Sequence, residues 1–73
     1  MTVRQMIDAV DAGETISVRD QYLVSSVTFE RGGDHDPIPA GLVSDEVLDA
    51  LVYKVSIEVC EPVGLPGIVI TFE

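Results

Sequence analysis

The residues most capable of chemistry sit side by side. Asp34-His35-Asp36 sets an imidazole between two carboxylates, just after the Gly32-Gly33 pair. Such a trio could ligate a metal ion or relay a proton. Adjacent residues rarely converge on one ion without further ligands, however, and the chain has a single histidine, so no second imidazole completes a zinc set. An EF-hand needs ligands at alternate positions and a glutamate at the twelfth, and that pattern is absent. The expected state of the trio is a solvated loop.

Other nucleophiles fare no better. Cys60 has no neighbouring cation in sequence to stabilise a thiolate and stands beside Glu61 and two residues from Glu58. No G-x-S-x-G elbow is present to activate a serine, and the glycines form no phosphate-binding motif. The expectation is a protein that is not an enzyme, with no cofactor and no metal site. One cysteine excludes an internal disulfide, which fits a reducing cytoplasm. No signal peptide is expected at Met1, and no apolar run approaches the ~20 residues of a membrane span.

The elements that must carry these residues can be read from local rules. Thr2 and Gln5 form a capping-box pair, and Val3, Met6, Ile7 and Val10 make one helical stripe, predicted to end at Ala12-Gly13. Glu14 to Asp20 alternates as a half-buried strand, with Ile16 and Val18 on one face. A tight turn at Asp20-Gln21 should lead into a second strand from Tyr22 to Glu30, with Leu23, Val27 and Phe29 sharing a face. Arg31 to Gly41 reads as a loop, held extended by Pro37 and Pro39. Ser44 should cap a short acidic helix holding Val47, Leu48 and Leu51. The period then changes to two, with Tyr53, Val55, Ile57 and Val59 on one side of a strand. After a turn between Pro62 and Pro66, a last strand directs Ile68, Ile70 and Phe72 inward. The expected fold is a single α+β domain over residues 1–73, in the order αββαββ. Its sheet should be mostly antiparallel, with helices on one face.

Charge is the strongest functional signal. Thirteen Asp and Glu face four Lys and Arg, a formal charge of −9 on 73 residues. That exceeds the magnitude of ~2–8 that keeps an ordinary small domain soluble. The 47 % hydrophobic content in strand-like alternation argues against a disordered acidic tail. Arg4, Arg19, Arg31 and Lys54 are scattered, so no basic stripe exists to neutralise phosphates, and direct nucleic-acid binding is not expected. Carboxylates at short intervals on a folded surface instead suit a groove lined with Lys and Arg, as a mimic of DNA. Asp34, Asp36, Asp45, Glu46 and Asp49 are the expected partner-binding residues.

The opening Thr2-Val3-Arg4-Gln5-Met6-Ile7-Asp8, followed by a strand ending Val18-Arg19-Asp20, resembles the start of small uncharacterised phage and prophage proteins. In those a T-V-x-x-L-I helix precedes a strand with an acidic turn. Ile38-Pro39, Val47-Leu48-Asp49 and Val55-Ser56-Ile57 resemble their later I-P-x-x-L-L and V-x-S-I segments. The resemblance carries no catalytic residues. It implies the cytoplasm of a host bacterium and an inhibitor of host defence, of which anti-CRISPR proteins are the sharpest instance. The partner would be a Cas effector, whose channel and PAM-reading site are basic. Two other readings remain open. One is a phage structural or assembly accessory that pairs through a sheet edge, with the terminal strand as the candidate edge and a homodimer as one form. The other takes the acidity as mere solubility and places an apolar contact around Tyr22, Val24 and Val69.

Overall fold

The computed structural model describes residues 1–22, 25–60 and 64–73. Helix α1 spans Val3–Ala9, β1 Thr15–Asp20, β2 Ser26–Glu30, α2 Asp45–Leu48, β3 Val52–Cys60 and β4 Leu65–Phe72. This is the α+β order αββαββ. The sheet is mixed, with spatial order β2-β1-β4-β3. β1–β2 and β3–β4 are antiparallel, and the halves join through parallel β1 and β4. The terminal strand is therefore central, which corrects the expectation that it forms an edge. Pairing on both sides satisfies its backbone, and the edges fall to β2 and β3.

Register assigns the faces. Ile16 stands opposite Phe29 and Ile68, and Val18 opposite Val27 and Ile70. Partners in a ladder share a side, so these residues form one apolar face. Val3, Ile7 and Val10 of the first helical segment, Val43 and Leu48 pack on it as a single core. Ile7, Ile16 and Ile70 are fully buried. Each such side chain contributes about 1.5–3 kcal/mol by leaving water. Both helices lie on this one face.

Helix α1 starts as its sequence requires. The Thr2 hydroxyl accepts from the Gln5 N–H at 3.2 Å, and the Gln5 side chain accepts from the Thr2 N–H at 2.9 Å. Its end comes earlier than Ala12-Gly13. Val10 is already extended, keeping its side chain in the core, and its N–H reaches the Ile7 carbonyl. Arg31 adds a charged donor at this carbonyl end. Its Nε donates to Ile7 O at 3.3 Å and its Nη2 to Asp8 O at 3.2 Å. A cation on the carbonyl end of a helix also opposes the macrodipole. Gly13 keeps the positive φ expected of it, +88°, but in the turn that leads to β1.

Two further boundaries differ from expectation. The β1–β2 ladder closes at Arg19 and Ser26, so β2 begins at Ser26 and the connection is longer than a tight turn. Tyr22 lies in that connection, its N–H held by Asp20 Oδ1 at 2.7 Å, while Leu23 and Val24 fall outside the described residues. Helix α2 is one turn, and Leu51 is not part of it. The Ala50 carbonyl accepts from Val3 N–H, and Val52 N–H donates to the Met1 carbonyl, which draws residues 50–52 alongside the N-terminus. The turn expected between Pro62 and Pro66 falls partly on residues 61–63, outside those described.

Candidate functional site: an acidic surface around Arg4

Helix α2 positions three of the five expected partner-binding carboxylates. Ser44 Oγ accepts from the Val47 N–H at 3.3 Å and fixes the first turn. That turn carries Asp45 and Glu46, where the N-terminal end of a helix favours negative charge. Asp49 caps the other end, with its N–H on the Asp45 carbonyl. All three are exposed.

A residue that sequence reasoning overlooked stands among them. Arg4 Nη2 lies 3.6 Å from Asp45 Oδ1 and 3.5 Å from Asp49 Oδ1, so one guanidinium nitrogen bridges two carboxylates. The Arg4 side chain is itself half-exposed, and such solvated pairs are worth about 0–1 kcal/mol each. Asp36 joins the same neighbourhood, lining a shallow groove of about 270 Å³ with Arg4, Pro37, Pro39 and Asp45. Asp34 does not. Its carboxylate sits 3.3 Å from Arg31 Nη1, near the carbonyl end of α1. The expected set thus divides: Asp45 and Asp49 meet on Arg4, Asp36 lines the same groove, Glu46 adjoins them on α2, and Asp34 stands apart on Arg31.

Arg31, expected at the start of a loop and among the scattered cations, is drawn into the fold. It is 5 % exposed, the most buried charged side chain among the described residues. Besides Ile7, Asp8 and Asp34, its Nη1 donates to Gly32 O at 2.9 Å. The loop is closed further on by Gly32 N–H on the Pro37 carbonyl at 3.0 Å. A Cβ on Gly32 would overlap the Asp36 carbonyl oxygen, so only glycine allows that closure. The segment that presents Asp36 is therefore fixed by backbone contacts.

A second concavity adjoins the cluster. A groove of about 670 Å³ runs between α2 and the β1–β2 side of the sheet. Val27, Val47 and Phe72 contribute apolar lining, and Ser44 and Asp45 are polar. Asp45 borders both concavities.

The residues first singled out for chemistry are not assembled into a site. Among the described residues, no group of three or more His, Cys, Asp or Glu side chains could hold a metal ion. His35 is exposed on its loop. Cys60 is buried, with its Sγ directed to the Glu58 carbonyl. No helix among the described residues is long and apolar enough to cross a membrane.

A charged bridge crosses the face opposite the core. Arg19 on β1 and Glu58 on β3 meet at 3.7 Å across β4, and Val69 between their rows is 1 % exposed. This corrects the placement of Val69 in an apolar contact surface. It is screened by its neighbours, although Tyr22 is exposed.

Comparison with known proteins gives no family model, no curated protein and no solved structure that matches this chain.

Proposed function

We propose that this protein is a non-enzymatic inhibitor that docks its acidic surface on a basic, nucleic-acid-binding surface of another protein. The specific form we favour is an anti-CRISPR or related anti-defence protein of a phage, acting in the host cytoplasm on a Cas effector. It would exclude DNA by occupying the channel with carboxylates instead of phosphates.

The observation that carries this reading is the meeting of Asp45 and Asp49 on Arg4, with Asp36 in the same groove and Glu46 beside them on α2, on a chain of net charge −9. Mere solubility needs no such grouping. Arg4 neutralises part of the cluster and leaves a net negative surface, held by a capped helical turn and a glycine-closed loop. The groove that shares Asp45 offers the same partner apolar contacts from Val27, Val47 and Phe72 beside the charged ones.

The test is the triple variant D45A/E46A/D49A, assayed for inhibition of DNA binding by purified Cas effectors. All three side chains are exposed, so the domain should still fold. Inhibition by wild type that the folded triple variant loses supports the reading. Undiminished inhibition by that variant would sink this assignment of the surface.

A second reading, an assembly accessory that pairs through a sheet edge, gains its own observation. β3 is an edge strand with an exposed apolar row, and it takes the place first given to the terminal strand.

A further inference from the structure

β3 has few of the protections usual for an edge, with its two charges, Lys54 and Glu58, both on the open side of the sheet. Nine residues long, it carries no proline, and its bulge lies at one end, between Val52 and Lys54. A long, exposed, apolar edge is a template for another strand. On the helix side of the sheet, Val55, Ile57 and Val59 are 43 %, 78 % and 60 % exposed. Val55 and Ile57 stand opposite Ile70 and Ile68 of the core, so they extend the apolar face past the area that the helices cover. Charge distribution singles out the same strand. Residues 50–60 hold one Lys and one Glu, while twelve acids and three bases occupy the rest of the chain.

We propose that β3 is a homodimer interface, in which two copies pair antiparallel about a two-fold axis at Ser56. The strand reads Lys54-Val55-Ser56-Ile57-Glu58, a sequence complementary to its own reverse. With the axis at Ser56, Lys54 of each copy faces Glu58 of the other on the open side of the sheet. Val55 of each faces Ile57 of the other on the helix side. A two-fold interface requires this reciprocity. Sliding the register by two residues sets Lys54 or Glu58 against neutral or apolar neighbours. Moving the axis to Lys54 or Glu58 sets like charges face to face, which is unfavourable across a ladder. A second copy is therefore the occupant that charge and apolar pattern specify together. Pairing would make a continuous eight-stranded sheet and leave the acidic cluster on α2 outside the interface. The proposal does not depend on what that cluster binds.

Salt separates the two. Copies of charge −9 repel, so screening should tighten the dimer, whereas it should weaken docking on a basic partner.

The experiment is size-exclusion chromatography with light scattering on four samples: wild type, I57K, K54E and E58K. Wild type should show twice the chain mass of 7.9 kDa, increasingly so with added salt. I57K alters a largely exposed side chain and should remain folded and monomeric. K54E and E58K each create two like-charge pairs per dimer and should weaken association about tenfold. Mixed in equal amounts, they should associate again, because both charged pairs across the interface of the mixed dimer are then complementary. A monomeric wild type, or a dimer that I57K leaves intact, overturns the proposal. Failure of the mixture to associate, with both variants folded by circular dichroism, overturns the register on which it rests.

Discussion

Arg4 and Asp49 are 45 positions apart in the chain, yet the Arg4 guanidinium stands 3.5 Å from the Asp49 carboxylate. The same nitrogen reaches Asp45. The contact ties the first helix to the one-turn second helix and places the one nearby cation in the middle of the acidic cluster. Arg4 thus moderates the charge that the cluster presents.

Replacing it should sharpen that charge. R4A takes the net charge from −9 to −10, since one cation is lost. Because both ion pairs are solvent-exposed, stability should change by no more than about 1 kcal/mol. Affinity for a basic partner should rise, most clearly at low salt, as measured by titration at two ionic strengths. A fall in affinity would make Arg4 itself a contact.

Arg31 should behave in the opposite way. Its guanidinium is buried and donates to the carbonyls of Ile7, Asp8 and Gly32. R31M leaves those acceptors without their charged donor and should cost about 2–4 kcal/mol. That is a large share of the ~5–15 kcal/mol available to a domain. D34A removes a 97 % exposed partner of the same arginine and should cost under about 1 kcal/mol. Urea denaturation of the two variants checks the contrast.

Glu58 gives the acid side of the stability profile. The Ser56 hydroxyl donates to it at 2.7 Å, and this bond, with the charges of Arg19 and Lys54, outweighs desolvation and holds its carboxyl below the ordinary 4.5. A carboxylate with a depressed folded value stabilises the fold above its unfolded value, and that contribution is lost as pH falls through the folded value. S56A should raise the Glu58 titration midpoint towards 4.5 and reduce the loss of stability below it. A carboxyl NMR titration reads the midpoint directly, and an unmoved midpoint contradicts the assignment of the hydroxyl as the principal cause.

Close packing on the open face predicts a glycine effect. A Cβ on Gly67 would lie 2.6 Å from the Thr15 carbonyl oxygen and 2.9 Å from Cys60 Sγ. The nearer atom is backbone of the adjoining strand, so it cannot turn aside. G67A should destabilise by about 1–3 kcal/mol. At Gly33 nothing lies within 4 Å, and G33A should leave the thermal midpoint nearly unchanged.

What the sequence made legible was local. The Thr2–Gln5 capping box, the Ser44 cap and the alternation around Ile16, Val18 and Phe29 each depend on residues a few positions apart, and each is present. The contacts that arrange the acidic surface are long-range. No spacing rule links Arg4 to Asp49 or Arg31 to Ile7, because those pairs exist only once the halves of the fold have joined. The parallel β1–β4 junction was equally hidden, since hairpins specify neighbours within each half and not between them. For the same reason the sequence places Val55, Ile57 and Val59 on one side of a strand without showing whether anything covers that side. Alternation gives them a common face, but only the sheet order reveals that no helix covers it.

If the carboxylate surface displaces nucleic acid from a basic protein, a competition mobility-shift assay will show it. Purified protein would be titrated against a panel of Cas effectors bound to target DNA, at low and at moderate salt. DNA should be released from at least one effector, and added salt should relieve the effect. DNA binding that stays intact on every effector at low salt would contradict it.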